Sequence, residues 1–166
     1  MQIAYLQRMA ELKSAWSESV AEIKTGNPVT DVILTQKQKE AEEKGIDFRC
    51  KFMYPTDTGI NAFDVSVILN NAITNAFEGV NGCKNPYVSV SAYRKKNAYM
   101  LELTNCVCKS VEIDDETGVP ETTKKDKGSH GFGLANIRKV AQKYYGDIDI
   151  SQDENSFTLT VMLMVE

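Results

Sequence analysis

Two amides one helical turn apart, Asn71 and Asn75, and a set of glycines at 128, 131 and 133 are the residues whose types and spacing suit chemistry. The amides lie in "ILNNAITNAFEG", where Ile68, Leu69, Ala72, Ile73, Ala76 and Phe77 recur with helical period, so one face is buried. Asn71, Asn75 and Glu78 then share a narrow arc on the other side, with neighbouring Cβ atoms roughly 5–6 Å apart. Asparagine competes with the backbone for hydrogen bonds and ranks below Lys, Glu and Gln in helix propensity, so a solvated face has little use for it. Either the face is simply polar, or the amides serve a ligand. An amide oxygen is a neutral, hard donor that can join Mg²⁺ while phosphates and water complete the shell.

The glycines lie in "GSHGFGL", residues 128–134, and run directly into the amphipathic "ANIRKVAQKYYG". Loop glycines ahead of a helix expose backbone N–H groups at the positive end of the helix dipole, which is a place for an anion. They can equally do no more than turn the chain. A dinucleotide fingerprint would need a preceding apolar strand, and here "TTKKDK" precedes; a Walker loop would need Gly-Lys-Ser/Thr, which is absent. A basic segment, a glycine turn into a helix and a helix with two inward amides together make a divided phosphate-plus-Mg²⁺ site.

Composition narrows the alternatives. The chain has 166 residues, with 19 basic against 23 acidic side chains and a net charge of −4, so nothing draws it generally to nucleic acid or acidic membranes. Cys50, Cys83, Cys106 and Cys108 contain no C-x-x-C pair, and His130 is the single histidine, which leaves no zinc-type ligand set. The thiols read as reduced, and Cys106-x-Cys108 as one face of a strand end. The longest aliphatic run is Val161 to Val165, too short for a membrane span, and the N-terminus lacks a signal-peptide pattern.

The elements that must position these residues follow from periodicity. A leading helix carries Tyr5, Met9, Leu12, Trp16, Val20 and Ile23 as an apolar stripe, which folds against its own domain or meets a partner helix. A second helix is expected from about Asp31, as cap, to Lys44, with Gly45 ending it in a left-handed conformation. "DFRCKFMY" (47–54) alternates as a half-buried strand. "YVSVSAY" with "YMLELTN", and "DIDIS" with "SFTLTVMLMV", read as two antiparallel hairpins turning at "RKKN" and "QDEN". The stretch from Cys106 to Gly131 shows no clear period and reads as a mobile lid. The expected class is α+β: a two-layer sandwich with a mixed, mainly antiparallel sheet packed on helices.

With these motifs in place the sequence resembles the ATP-binding domain of the GHKL superfamily, specifically that of sensor histidine kinases similar to peptide quorum-sensing receptors, over nearly its whole length. "ILNNAITNAFEG" is similar to the N box, "GSHGFGLANI" to the second glycine box, and "TTKKDKGSHGFGL" to the lid spacing of the subgroup. "TGNPVTDVILTQK" (25–37) resembles the link between stalk and catalytic domain.

The resemblance implies ATP and Mg²⁺ as ligands, with Asn75 the principal metal ligand and Asn71 helping to orient metal, water or phosphate. Gly131, Phe132, Gly133 and Leu134 would wrap the phosphates with main-chain N–H groups, and Lys124, Lys125 and His130 would approach from the lid. The adenine box departs from the family's Asp-x-Gly-x-Gly: the strand ends "LELTNCVCKS", with Asn105 at the aspartate position and no glycines. An amide accepts from the adenine amino group, but without the strength of a charged acceptor.

Hydrolytic members carry a glutamate at the position of Asn71, and an amide cannot act as general base. The implied reaction is transfer of the γ-phosphoryl group to a histidine on a dimeric helical stalk. His130 lies in the lid, so the acceptor is expected outside this chain. Residues 1–26 are expected to be the end of that stalk and 27–166 the catalytic domain. The expected parent is a homodimeric membrane receptor, with this portion in the cytoplasm and a response regulator as partner. The alternatives are a GHKL ATPase or serine kinase, or a non-catalytic partner-binding module.

Overall fold

The structure, a computed structural model, describes residues 3–4, 7–8, 22–120 and 132–165. Most of the leading stripe (Tyr5, Met9, Leu12, Trp16 and Val20) lies outside the described residues. Ile23 does not belong to a helix: residues 22–25 run as irregular chain alongside the first long helix, with Ile23 N–H donating to Thr35 Oγ1 at 3.1 Å.

That helix, α1, spans Pro28–Glu43 and starts earlier than the Asp31 cap predicts. Asn27 supplies the cap, its Oδ1 accepting from Val29 N–H at 2.9 Å, and Pro28 fits the first helical position because it has no N–H to satisfy. Asp31 faces backwards and accepts from Thr25 N–H and Thr25 Oγ1 at 2.6 and 2.7 Å. Those two bonds hold its carboxyl below the ordinary aspartate range. Gly45 ends the segment at φ +67°, as its position predicts.

Strand β1, Asp47–Lys51, stops short of Tyr54. The long helix α2 covers Ala62–Gly79 and buries Val65, Ile68, Leu69, Ala72, Ile73, Ala76 and Phe77, the face read from the sequence. Strands β2 (Tyr87–Lys95) and β3 (Ala98–Cys106) form one hairpin, helix α3 spans Phe132–Lys143, and β4 (Asp147–Gln152) with β5 (Ser156–Met164) forms the second. The five strands make one sheet in the order β1-β2-β3-β5-β4. All neighbours are antiparallel except β1 and β2, whose parallel pairing is made across the α2 crossover.

Alternation along the strands decides the layers. Val88, Val90, Leu101, Leu103, Leu159, Val161 and Leu163 are buried in one cluster with Leu34, Ile68, Leu69, Ile73 and Ile137 from the helices. The intervening residues, such as Ser89, Ser91, Thr104, Thr158 and Thr160, stay half-exposed. Three helices therefore cover one face among the described residues, and the other face is a polar surface of hydroxyls, with Thr104 Oγ1 and Thr158 Oγ1 hydrogen-bonded at 2.9 Å.

The expected lid divides in two. Residues 107–120 are anchored rather than loose: Ile113 bridges Pro120, and Asp114 Oδ1 accepts from Glu116 and Thr117 N–H at 2.9 and 2.7 Å to hold a turn. Residues 121–131 lie outside the described residues. Cys106-x-Cys108 is not one strand face, because β3 ends at Cys106 and Cys108 stands exposed in the bend beyond it.

Candidate nucleotide site between helices α2 and α3

Two contacts fix how α2 and α3 lie together. At one end, Lys143 Nζ and Tyr144 Oη donate to Asp64 Oδ2 at 2.6 and 2.5 Å, and Tyr144 Oη accepts from Asn61 N–H at 3.0 Å. At the other, a Cβ placed on Gly133 would lie 3.0 Å from Asn75 Nδ2 and 3.2 Å from its Oδ1. The first contact joins the start of α2 to the end of α3, and the second joins the later part of α2 to the start of α3. The helices are therefore antiparallel. The span from Asp64 to Asn75 rises roughly 16 Å and that from Gly133 to Lys143 roughly 15 Å, so the brace at one end sets the approach at the other.

Between these helices, the sheet and the anchored segment lies a cavity of ≈ 770 Å³. Asn75, Glu78 and Gly79 face it from α2, Leu134 and Arg138 from α3, and Leu103 and Phe157 from the sheet. Asn105 is in the wall at the end of β3 and is 5% exposed. Its Nδ2 donates one hydrogen to Cys106 O at 2.9 Å, which leaves the carbonyl oxygen as the acceptor it can offer a ligand, beside the second N–H. Gly79 makes this placement possible, because a Cβ there would stand 2.9 Å from Asn105 Nδ2.

The structure thus brings Asn75, Asn105 and Leu134 to one cavity and sets Gly133 against Asn75. Asn71 lies one turn earlier and is not among the described residues that line the cavity; its Nδ2 donates to Val67 O at 2.8 Å. Phe132 opens α3. Lys124, Lys125, His130 and Gly131 lie outside the described residues.

Sequence reasoning missed Arg138 and the glutamine that fastens the cavity wall. Arg138 donates to Thr117 O through both Nη atoms at 3.2 Å and through Nε to Asp147 Oδ1 at 3.1 Å. Gln152, at the end of β4, accepts from Val111 N–H at 3.0 Å and donates to Val111 O at 3.1 Å, as a neighbouring strand would. The spacing Leu134, Arg138, Gln142 marks the cavity face of α3 and was a readable signal. Nothing local marks Gln152.

The five-stranded mixed sheet backed by three helices matches the fold of histidine kinase catalytic domains. The nucleotide-free catalytic domain of histidine kinase ThkA superposes with a TM-score of 0.65 at 16% identity, over 86% of this chain and 93% of that one. A histidine kinase from Burkholderia phymatum gives 0.62 at 15% identity over 99% and 81%, and Acinetobacter baumannii histidine kinase AdeS gives 0.62 at 14% over 83% and 64%. No curated protein sequence matches the chain. Residues 60–164 match the GHKL domain family, and the chain belongs to that family.

Proposed function

We propose that this chain is the ATP-binding catalytic domain of a two-component sensor histidine kinase, which donates the γ-phosphoryl group of ATP to a histidine on a stalk helix. The observation that carries this reading is the approach of Gly133, at the start of α3, to the Asn75 amide beside a cavity that also holds Asn105. The backbone donors of a helix N-terminus and an uncharged oxygen donor then address the same space.

The donor set fits Mg²⁺. Asn75 brings an uncharged amide oxygen to the cavity, and Mg²⁺ beside a nucleotide is usually held by one or two protein oxygens with phosphates and water completing the shell. Asn75 would be its protein ligand, with the Asn71 carbonyl oxygen one turn away. When bound, Mg²⁺ supplies charge neutralisation at the phosphates. Gly131, Phe132, Gly133 and Leu134 offer main-chain N–H groups to the phosphates, and Lys124, Lys125 and His130 add donors from the lid. Asn105 presents an acceptor to the adenine amino group, while Leu103 and Phe157 give the base apolar surroundings.

Asn71 cannot take a proton from water, so the chain's own groups position and neutralise rather than hydrolyse. Residues 1–26 are the end of the stalk and 27–166 the catalytic domain in this reading. The stalk histidine, a second protomer and a response regulator are the partners, and the cytoplasmic face of a membrane receptor is the setting. No described helix is long and apolar enough to cross a membrane.

The test is calorimetry with a non-hydrolysable ATP analogue and Mg²⁺ on the wild-type chain and on Asn75→Ala. Wild type should bind, and the variant should lose affinity on the order of 10-fold to 100-fold, the range typical of disturbed metal sites. Asn105 favours one competing reading, a partner-binding module, because it puts a neutral amide where the family pattern has a carboxylate. Absence of wild-type binding at saturating analogue would select that module.

A further inference from the structure

The residue that follows α3 is tied to two other elements. Tyr144 Oη donates to Asp64 Oδ2 and accepts from Asn61 N–H, so both hydrogen-bonding functions of the hydroxyl are used at the start of α2. Asn61 is the cap of that helix, its Oδ1 accepting from Phe63 N–H at 2.8 Å, so the hydroxyl is fixed to the residue that sets where α2 begins. The Tyr144 carbonyl accepts from Met164 N–H at 2.9 Å, at the end of β5. Two residues on, a Cβ at Gly146 would stand 1.7 Å from Met162 O, so the chain leaving α3 lies hard against that strand.

Lys143 shares the Asp64 carboxylate, but its side chain is 60% exposed, and an ion pair in water holds geometry weakly. Tyr144 instead carries its hydroxyl on a rigid, half-buried ring packed against the core. Between this end and the cavity, Ile68 and Ala72 of α2 and Ile137 and Ala141 of α3 are buried in that same core. A close-packed interior transmits a displacement rather than absorbing it. At the far end there is little slack, since a Cβ on Gly133 would lie 3.0 Å from Asn75 Nδ2.

We infer that Tyr144 is a positioning residue of the nucleotide site, its hydroxyl setting the spacing between the Asn75 amide and the main-chain donors that open α3. The inference rests on the Mg²⁺–ATP reading of the cavity. Because the two halves of the site come from different helices, they act on one Mg²⁺–nucleotide only at one spacing, and a misplacement on the order of 1 Å costs much of the joint gain.

The test compares the wild-type chain with Tyr144→Phe, which removes the hydroxyl and keeps the ring, and with Asp64→Asn, which removes the charge and keeps an oxygen for the hydroxyl. Two readouts are taken: the side-chain amide resonance of Asn75 in the nucleotide-free protein, and affinity for a non-hydrolysable ATP analogue with Mg²⁺ and with EDTA. Tyr144→Phe should shift the resonance and lose on the order of 10-fold in affinity with Mg²⁺, against less than about 2-fold in EDTA. Asp64→Asn should keep both readouts near wild type although it melts at a lower temperature. Asp64→Ala, which deprives the hydroxyl of its acceptor, should reproduce the Tyr144→Phe pattern, and it decides the matter if Tyr144→Phe does not fold. Equal losses with and without Mg²⁺, an unmoved Asn75 resonance, or an Asp64→Asn variant that behaves as Tyr144→Phe would each overturn the assignment. If the wild type binds no nucleotide, the Mg²⁺–ATP reading falls, and the Asn75 resonance alone then decides whether Tyr144 sets the spacing.

Discussion

A methyl group at position 133 would reach to 3.0 Å of the Asn75 amide nitrogen, and this closeness separates folding from binding. Alanine is better than glycine inside a helix by about 1 kcal/mol, so Gly133→Ala should leave thermal stability unchanged or slightly raised. The same methyl displaces Asn75, so affinity for Mg²⁺–nucleotide should fall several-fold in calorimetry. A variant that binds as wild type would separate the start of α3 from the site. The position of Asn75 on the polar side of α2, where it meets the cavity, was legible in the sequence because asparagine is costly on an exposed helix; that Asn71 turns back to Val67 O was not. For Arg138 only the helix face was legible, from its spacing with Leu134 and Gln142; its hold on Thr117 and Asp147 was not, since an arginine on an amphipathic helix is ordinary until its partners are known.

Among the elements, α2 and α3 depend on the Asp64 brace. Burial alone would raise the Asp64 carboxyl, but hydrogen bonds from Lys143 and Tyr144 outweigh it and hold the group below the usual 3.8. A depressed folded-state value stabilises the fold above the unfolded value near about 4, and this contribution is lost as pH falls through the lower folded value. Asp64→Asn removes that titration. Its melting temperature should be lower at neutral pH and should fall less steeply than wild type as the pH drops below about 4 in calorimetric scans. The anchored segment permits a second test. Gln152→Ala removes two hydrogen bonds worth about 1–2 kcal/mol together, so the Val111 amide should exchange on the order of 10-fold faster by hydrogen exchange. Helices and hairpins were legible because their periods are local, as α2 and the two hairpins show. The start of α1 was misread because Asp31 looks like a cap until Asn27-Pro28 is given priority. A clasp between residues 111 and 152 has no local period to reveal it.

At the scale of the whole molecule, β1 and β4 are the edge strands of the sheet among the described residues. Asp47, Arg49 and Lys51 are exposed along the first, and Asp147 and Asp149 along the second, a distribution that discourages edge-to-edge pairing. Arg49→Val with Lys51→Val should therefore self-associate in sedimentation velocity under conditions where wild type does not. The parallel neighbour of β1 was not fixed by any short pattern, because it depends on the α2 crossover. Gln152 and Arg138 grip only main-chain atoms of Val111 and Thr117, so these two fastenings do not depend on the side chains at 111 and 117. The side chain at 111, which faces the cavity, is therefore open to drift or to redesign that changes what the cavity admits, provided that Asp114 keeps the turn and Gln152 and Arg138 keep their hold from elsewhere in the chain.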